Sequence, residues 1–143
     1  LDTSALPDPT YPIAEGYIRF AKSLIAVDDG AGSDALAGLE LEFVALKNPY
    51  TDDLSAGLPL RLTYQGAARG NAQVEVFEKA ASGEVDINLL RTNADGLVTI
   101  PVKAGHSYLI DSVLLRRPTE ALAEEKKIDW ESLWAALTFA VPE

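Results

Sequence analysis

Four groups of side chains in this 143-residue chain could do chemistry. The first centres on His106, the only imidazole, with Asp111 five residues on. On a strand an odd separation sends two side chains to opposite faces, so His106 and Asp111 are not natural co-ligands. One imidazole among carboxylates is a poor and unselective nickel site, and His106 reads as an ordinary surface or rim histidine. The second is Asp28, Asp29 and Asp34 around Gly30-Ala-Gly-Ser33. Oxygen-rich, glycine-rich loops can hold Ca²⁺, but this spacing does not match the twelve-residue calcium loop. A solvated turn is the simpler reading. The third is Glu15, Arg19 and Lys22. On a strand Glu15 and Arg19 share one face and Lys22 takes the other. That suits an Arg–carboxylate pair at a sheet edge or, more sharply, anion binding. The fourth is Trp130 and Trp134, which share a face on a strand. Core packing is expected of them; exposed, they would form a stacking platform for a sugar ring or another domain.

Catalytic patterns are missing from the sequence. One His cannot frame a Ser-His-Asp arrangement, no glycine-rich phosphate loop precedes a helix, and 22 acidic residues make chance carboxylate pairs common. With no Cys there is no disulfide, thiolate metal site or Cys nucleophile. The net charge of −10 argues against nucleic acid, whose phosphates need a basic surface. That charge is uneven: residues 1–60 carry 10 acidic and 3 basic side chains, residues 61–143 carry 12 and 9. A cation or basic partner would be drawn to the first part. No apolar run is long enough for a transmembrane helix.

The elements that must position these groups read as strands. Residues 1–12 carry three prolines and predict an extended lead or linker, up to about residue 14. Residues 14–27 fit a helical stripe through Ile18, Ala21 and Ile25, and also a strand with Ile18, Phe20 and Leu24 on one face, interrupted by Lys22; the loop and strands that follow favour the strand. Residues 39–46 alternate, Leu39, Leu41 and Phe43 inward against Glu40 and Glu42 outward. Residues 58–64 repeat the pattern, and 72–79, 85–92, 97–102 and 106–116 read as further strands. Asp95-Gly96 marks a tight hairpin turn. Residues 117–129 are charged and predict a mobile loop holding one helical turn at most. Residues 130–141 close the chain as a strand, although an amphipathic helix also fits. Short strands with regular turn signals predict an all-β fold, an antiparallel β-sandwich of seven or eight strands spanning 15–143.

Two resemblances follow from particular stretches. Arg91-Thr-Asn-Ala-Asp-Gly-Leu-Val-Thr-Ile-Pro-Val102, followed by Ala104-Gly-His-Ser-Tyr-Leu-Ile110, resembles transthyretin-like and carboxypeptidase-regulatory-like modules. That implies an Ig-like or prealbumin-like sandwich. Glu15-Gly-Tyr-Ile-Arg-Phe-Ala-Lys22, Gly38-Leu-Glu-Leu-Glu-Phe-Val-Ala-Leu-Lys-Asn-Pro-Tyr50 and Asp129-Trp-Glu-Ser-Leu-Trp-Ala-Ala-Leu-Thr-Phe139 are together similar to the C-terminal part of a bacterial family of unknown function. Its members are described as periplasmic components of nickel or cobalt uptake (NikM-like). The resemblance implies an extracytoplasmic location and a membrane transporter component or neighbouring domain as partner. It also implies that Ni or Co would be held by a region ahead of these residues, where family members carry early histidines. Leu1, rather than Met, agrees with a processed protein or with a chain cut from something longer. The expected function is a non-catalytic extracytoplasmic binding or accessory module. The alternative is a structural or interaction sandwich that binds carbohydrate or a protein.

Overall fold

Alternating apolar residues with turn residues between them give strands wherever one face can be buried, and this chain does so nine times among its described residues. The computed structural model describes residues 13–143; the proline-rich stretch 1–12 lies outside them. The elements are β1 (Glu15–Ser23), β2 (Leu41–Ala45), β3 (Leu58–Tyr64), β4 (Ala67–Ala68), β5 (Gln73–Lys79), β6 (Val85–Arg91), β7 (Leu97–Ile100), β8 (Ser107–Arg116), α1 (Glu120–Lys126) and β9 (Trp130–Ala140). Nine strands exceed the expected seven or eight because β4 is a two-residue ladder closing the hairpin after β3.

The strands form two sheets. The larger runs β1-β9-β8-β5-β6; the smaller places β3 between β2 on one side and β4 and β7 on the other. Their facing sides share one core. Leu41 and Phe43 of β2, Leu58, Leu60 and Leu62 of β3, and Val98 and Ile100 of β7 meet Val74, Val76, Ile110, Leu133, Leu137 and the stacked rings of Tyr108 and Phe139. The expected two-sheet, all-β architecture is therefore present. One pairing departs from a purely antiparallel arrangement: β1 runs parallel to β9, from Glu15↔Trp130 to Ser23↔Thr138. A parallel neighbour requires a long crossover, and here almost the whole domain lies between the two strands.

Gly96 shows how tightly the turns are fitted. Its φ of 73° suits glycine, and a Cβ there would stand 2.5 Å from the Leu62 carbonyl oxygen. Segment 117–129 corrects the sequence expectation of a loop. It holds α1, seven residues long, with the Thr119 hydroxyl accepting from the Leu122 N–H and Lys127 closing the helix in the left-handed conformation. Helix formers at 120–126 and charges that match the dipole, Glu120 early and Lys126 late, explain it. The next residues tie down: Asp129 accepts the Ala14 N–H at 2.9 Å.

Candidate functional site

Alternation along β8 sends Tyr108, Ile110 and Ser112 into the core and Leu109, Asp111, Val113 and Leu115 to the other side. The pairing register extends that outer side across the sheet. Ile87, Phe77 and Leu109 lie in one row, and Val113, Trp134 and Arg19 in another. At the edge, β6 inverts the usual sandwich polarity. It turns Asp86 and Asn88 to the core side and Val85, Ile87 and Leu89 outward, the latter two 60% and 61% exposed. With Tyr17, Val113 and Leu115 also exposed, the outer face is an apolar surface crossed by a few charges.

Three aromatic side chains of this face are matched to arginines. The Arg19 guanidinium lies 5.3 Å from the Tyr17 ring centroid and 5.4 Å from that of Trp134, and Arg117 lies 3.8 Å from the Trp130 ring. Trp134 Nε1 donates to Ser132 Oγ at 3.0 Å. The expectation that both tryptophans pack in the core is thus corrected. They stand half-buried on the outer face, because the inner positions of β9 are taken by Leu133, Ala135, Leu137 and Phe139. Glu15 and Arg19 share this face, and Glu15 is the register partner of Trp130. Asp111 lies amid the patch. Burial pushes its carboxyl above the usual range, and Glu75 directly across the ladder adds to the rise; the Ser112 N–H and Arg19 oppose it. Its Oδ1 is buried with no hydrogen-bond partner among the described residues.

Lys22 takes the opposite side of β1, as its position predicts, and there meets Asp34. Its Nζ lies 2.8 Å from Asp34 Oδ1 and 3.1 Å from Glu42 Oε1, and it also donates to the carbonyls of Ala35 and Phe43. Glu42 was expected to point to solvent, and this is corrected. It does leave the face of Leu41 and Phe43, but the crossover 24–40 covers it, and it accepts from the N–H groups of Ala37, Gly38 and Leu39. Burial alone would raise its pKa; these N–H groups and Lys22 outweigh that and lower it. Asp34 Oδ2 accepts the Ala45 N–H. Two candidates raised for different reasons therefore form one ion cluster, which caps the free edge of β2. The Lys22 ammonium stands where a bound cation would have to stand.

The other candidates stay apart. Asp29 closes a turn by accepting the Ala31 N–H, and Asp28 lies beside it in the left-handed region. The Gly30 and Gly32 carbonyls of this loop accept from Asn48 Nδ2. At the far end of the larger sheet, His106 Nδ1 lies 2.8 Å from Glu78 Oε1, with Lys103 Nζ 2.6 Å from the same oxygen. Among the described residues no three His, Asp or Glu side chains converge in a set fit for a metal ion. Sequence reasoning missed Arg116, which bonds Glu40 just ahead of β2, Tyr64 and, at 2.7 Å, Glu131. Its one signal was an arginine at an inward position of β8.

Residues 7–115 match the model of a family described as domain of unknown function, DUF4198. The chain belongs to that family. No curated protein and no solved structure matches it. The DUF4198 match ends within β8, so α1 and β9, with Trp130 and Trp134, lie past its end.

Proposed function

We propose that this chain is a non-catalytic extracytoplasmic accessory module that docks onto a protein partner through the outer face of its five-stranded sheet. One observation carries the reading: the outer face exposes Val85, Ile87 and Leu89 at its β6 edge and Val113, Leu115 and Tyr17 farther across, with Glu75 and Asp111 between the two groups. Large apolar side chains gathered exposed on one face, rimmed by polar ones, mark interaction sites on folded domains. Trp, Tyr and Arg are also the side chains that dominate binding hot spots. The alternative, a carbohydrate platform, is less favoured, because guanidinium groups already lie over the tryptophan rings a sugar would need.

The finer reading is an Ig-like or prealbumin-like sandwich serving nickel or cobalt uptake, with a membrane transporter component or neighbouring domain as partner. It rests on the sequence resemblance. Within it this chain is a scaffold, and the metal is held elsewhere. Lys22 already sits between the carboxylates of Asp34 and Glu42, and His106 Nδ1 lies 2.8 Å from a single carboxylate, Glu78.

Two experiments test this. A photo-crosslinking residue at Val113 or Leu115 in cells should give one discrete product with another protein. The same probe at Leu46, exposed on the smaller sheet, should give none. A product at Leu46 alone would overturn the docking face. Calorimetric titration with Ni²⁺ near physiological ionic strength should show weak, salt-sensitive binding unchanged in His106→Ala. Micromolar one-to-one binding lost in that variant would overturn the scaffold role.

A further inference from the structure

A sheet edge presents unpaired N–H and C=O groups, and folded proteins blunt it with short strands, prolines, inward charges or covering loops. Three edges here are blunted. On β2, Lys22 bonds the Phe43 carbonyl and Asp34 the Ala45 N–H. On β1, an inward-pointing lysine interrupts the strand. Strand β7 has four residues and runs into Pro101, and β4 has two. Strand β6 has one of these devices, Asp86 on its core side, and lacks the others. It is seven residues of Val-Asp-Ile-Asn-Leu-Leu-Arg, with no proline or lysine, and among the described residues it pairs with β5 alone.

The strand is also complementary to itself. In an antiparallel pair about a two-fold axis at Asn88, all seven residues find a partner. Ile87 faces Leu89 of the second copy, and the same contact repeats on the other side of the axis. Val85 faces Arg91, Asp86 faces Leu90 and Asn88 faces Asn88. No like charges are opposed, although the chain as a whole carries −10. The apolar pairs fall on the outer face, so the apolar surface of one copy would continue without a break into the other. Cross-strand apolar pairs of this kind contribute roughly 0.2–1 kcal/mol each. A copy of this chain satisfies both the edge and its outward side chains, whereas a generic extended peptide satisfies only the backbone.

We propose that two copies of this chain join through β6, in antiparallel register about Asn88, into one continuous ten-stranded sheet. A single strand pair is a small contact, below the roughly 1,200 Å² of standard interfaces, so the dimer is expected at micromolar to high-micromolar concentration. The outward side chains of β6 are shared with the docking face, so the two readings are told apart by their readouts: self-association of the purified chain for one, a crosslink from Val113 to another protein for the other.

Sedimentation velocity over a concentration series tests it. The wild-type chain should pass from monomer to dimer. Ile87→Lys or Leu89→Glu alone should raise the dissociation constant by about tenfold or more, while circular dichroism stays that of the parent, since both side chains are exposed. The double variant Ile87→Lys/Leu89→Glu should regain the dimer, because the register sets each lysine against a glutamate of the other copy. A wild-type chain that stays monomeric throughout, single variants that still dimerise, or a double variant that does not recover would each overturn the proposal. None of these outcomes bears on crosslinking from Val113.

Discussion

Lys22 and Asp34 form an ion pair of 2.8 Å that joins the inner side of β1 to the crossover leading into β2. With Glu42 they make a nearly solvent-free cluster, the side chains being 14%, 6% and 0% exposed. Removing one member of a buried pair leaves the remaining charges uncompensated. Lys22→Met should therefore cost about 3 kcal/mol or more in urea unfolding. A loss under about 1 kcal/mol, the range of surface pairs, would show that the cluster is open to water.

That cluster and two separate ion pairs, Glu40 with Arg116 and Glu78 with Lys103, set an acid limit. The carboxyls of Glu42, Glu40 and Glu78 lie below their ordinary range, Glu40 chiefly through Arg116 and Glu78 chiefly through Lys103. A lowered folded-state pKa gives stability that is present above the unfolded value, about 4.3 for Glu, and is lost as pH falls through the folded value. Thermal midpoints should fall steeply below about pH 4.3. Glu42→Gln should flatten that fall while lowering the midpoint at pH 7; an unchanged slope would remove Glu42 from the account.

Asp111 has the opposite sign. Its folded pKa is raised, first by burial and then by Glu75, so its contribution is fully present below the ordinary Asp value, about 3.9, and is lost as pH rises through the raised one. Asp111→Asn should melt higher than the parent at neutral pH, with the gap closing in acid. A variant that melts lower at neutral pH would mean that the carboxylate has a stabilising partner.

Gly96→Ala should destabilise by about 2 kcal/mol, since both the positive φ and the Leu62 carbonyl oppose a Cβ. Urea midpoints measure this, and a neutral effect would show that the β6–β7 turn can relax.

Within residues 13–143, trypsin should cut first at Lys126 or Lys127. Helix α1 has no buried residue, which places it at the low-stability end of the domain. A first cut at Arg61, inside β3, would contradict that.

The strands were legible where alternation met a half-buried face, as at 58–64 and 107–116, because period two is the geometry of the pleat. Glu42 was not legible. Its polarity and position both say solvent, and only the crossover, held by contacts distant in sequence, buries it. The outer face was half legible. The spacing of Glu15 from Arg19 and of Trp130 from Trp134 gave their shared sides. Which side faces the core depended on β9 being flanked by β1 and β8, a pairing across more than a hundred residues that no local pattern contains. Helix α1 was read as no more than a helical turn because its seven residues hold one large apolar side chain, Leu122, which gives no period to read.

The parallel ladder of β1 and β9 also decides how the domain bears force. Tension on the chain pulls the start of β1 one way and the end of β9 the other. Because the two strands run in the same direction over nine register pairs, that load is a shear along the ladder, and its hydrogen bonds must fail together rather than unzip singly. A domain that tethers a partner between its two ends would thus be loaded along a mechanical clamp. Force spectroscopy should record one high-force rupture, and a gradual low-force opening would show that the load runs elsewhere.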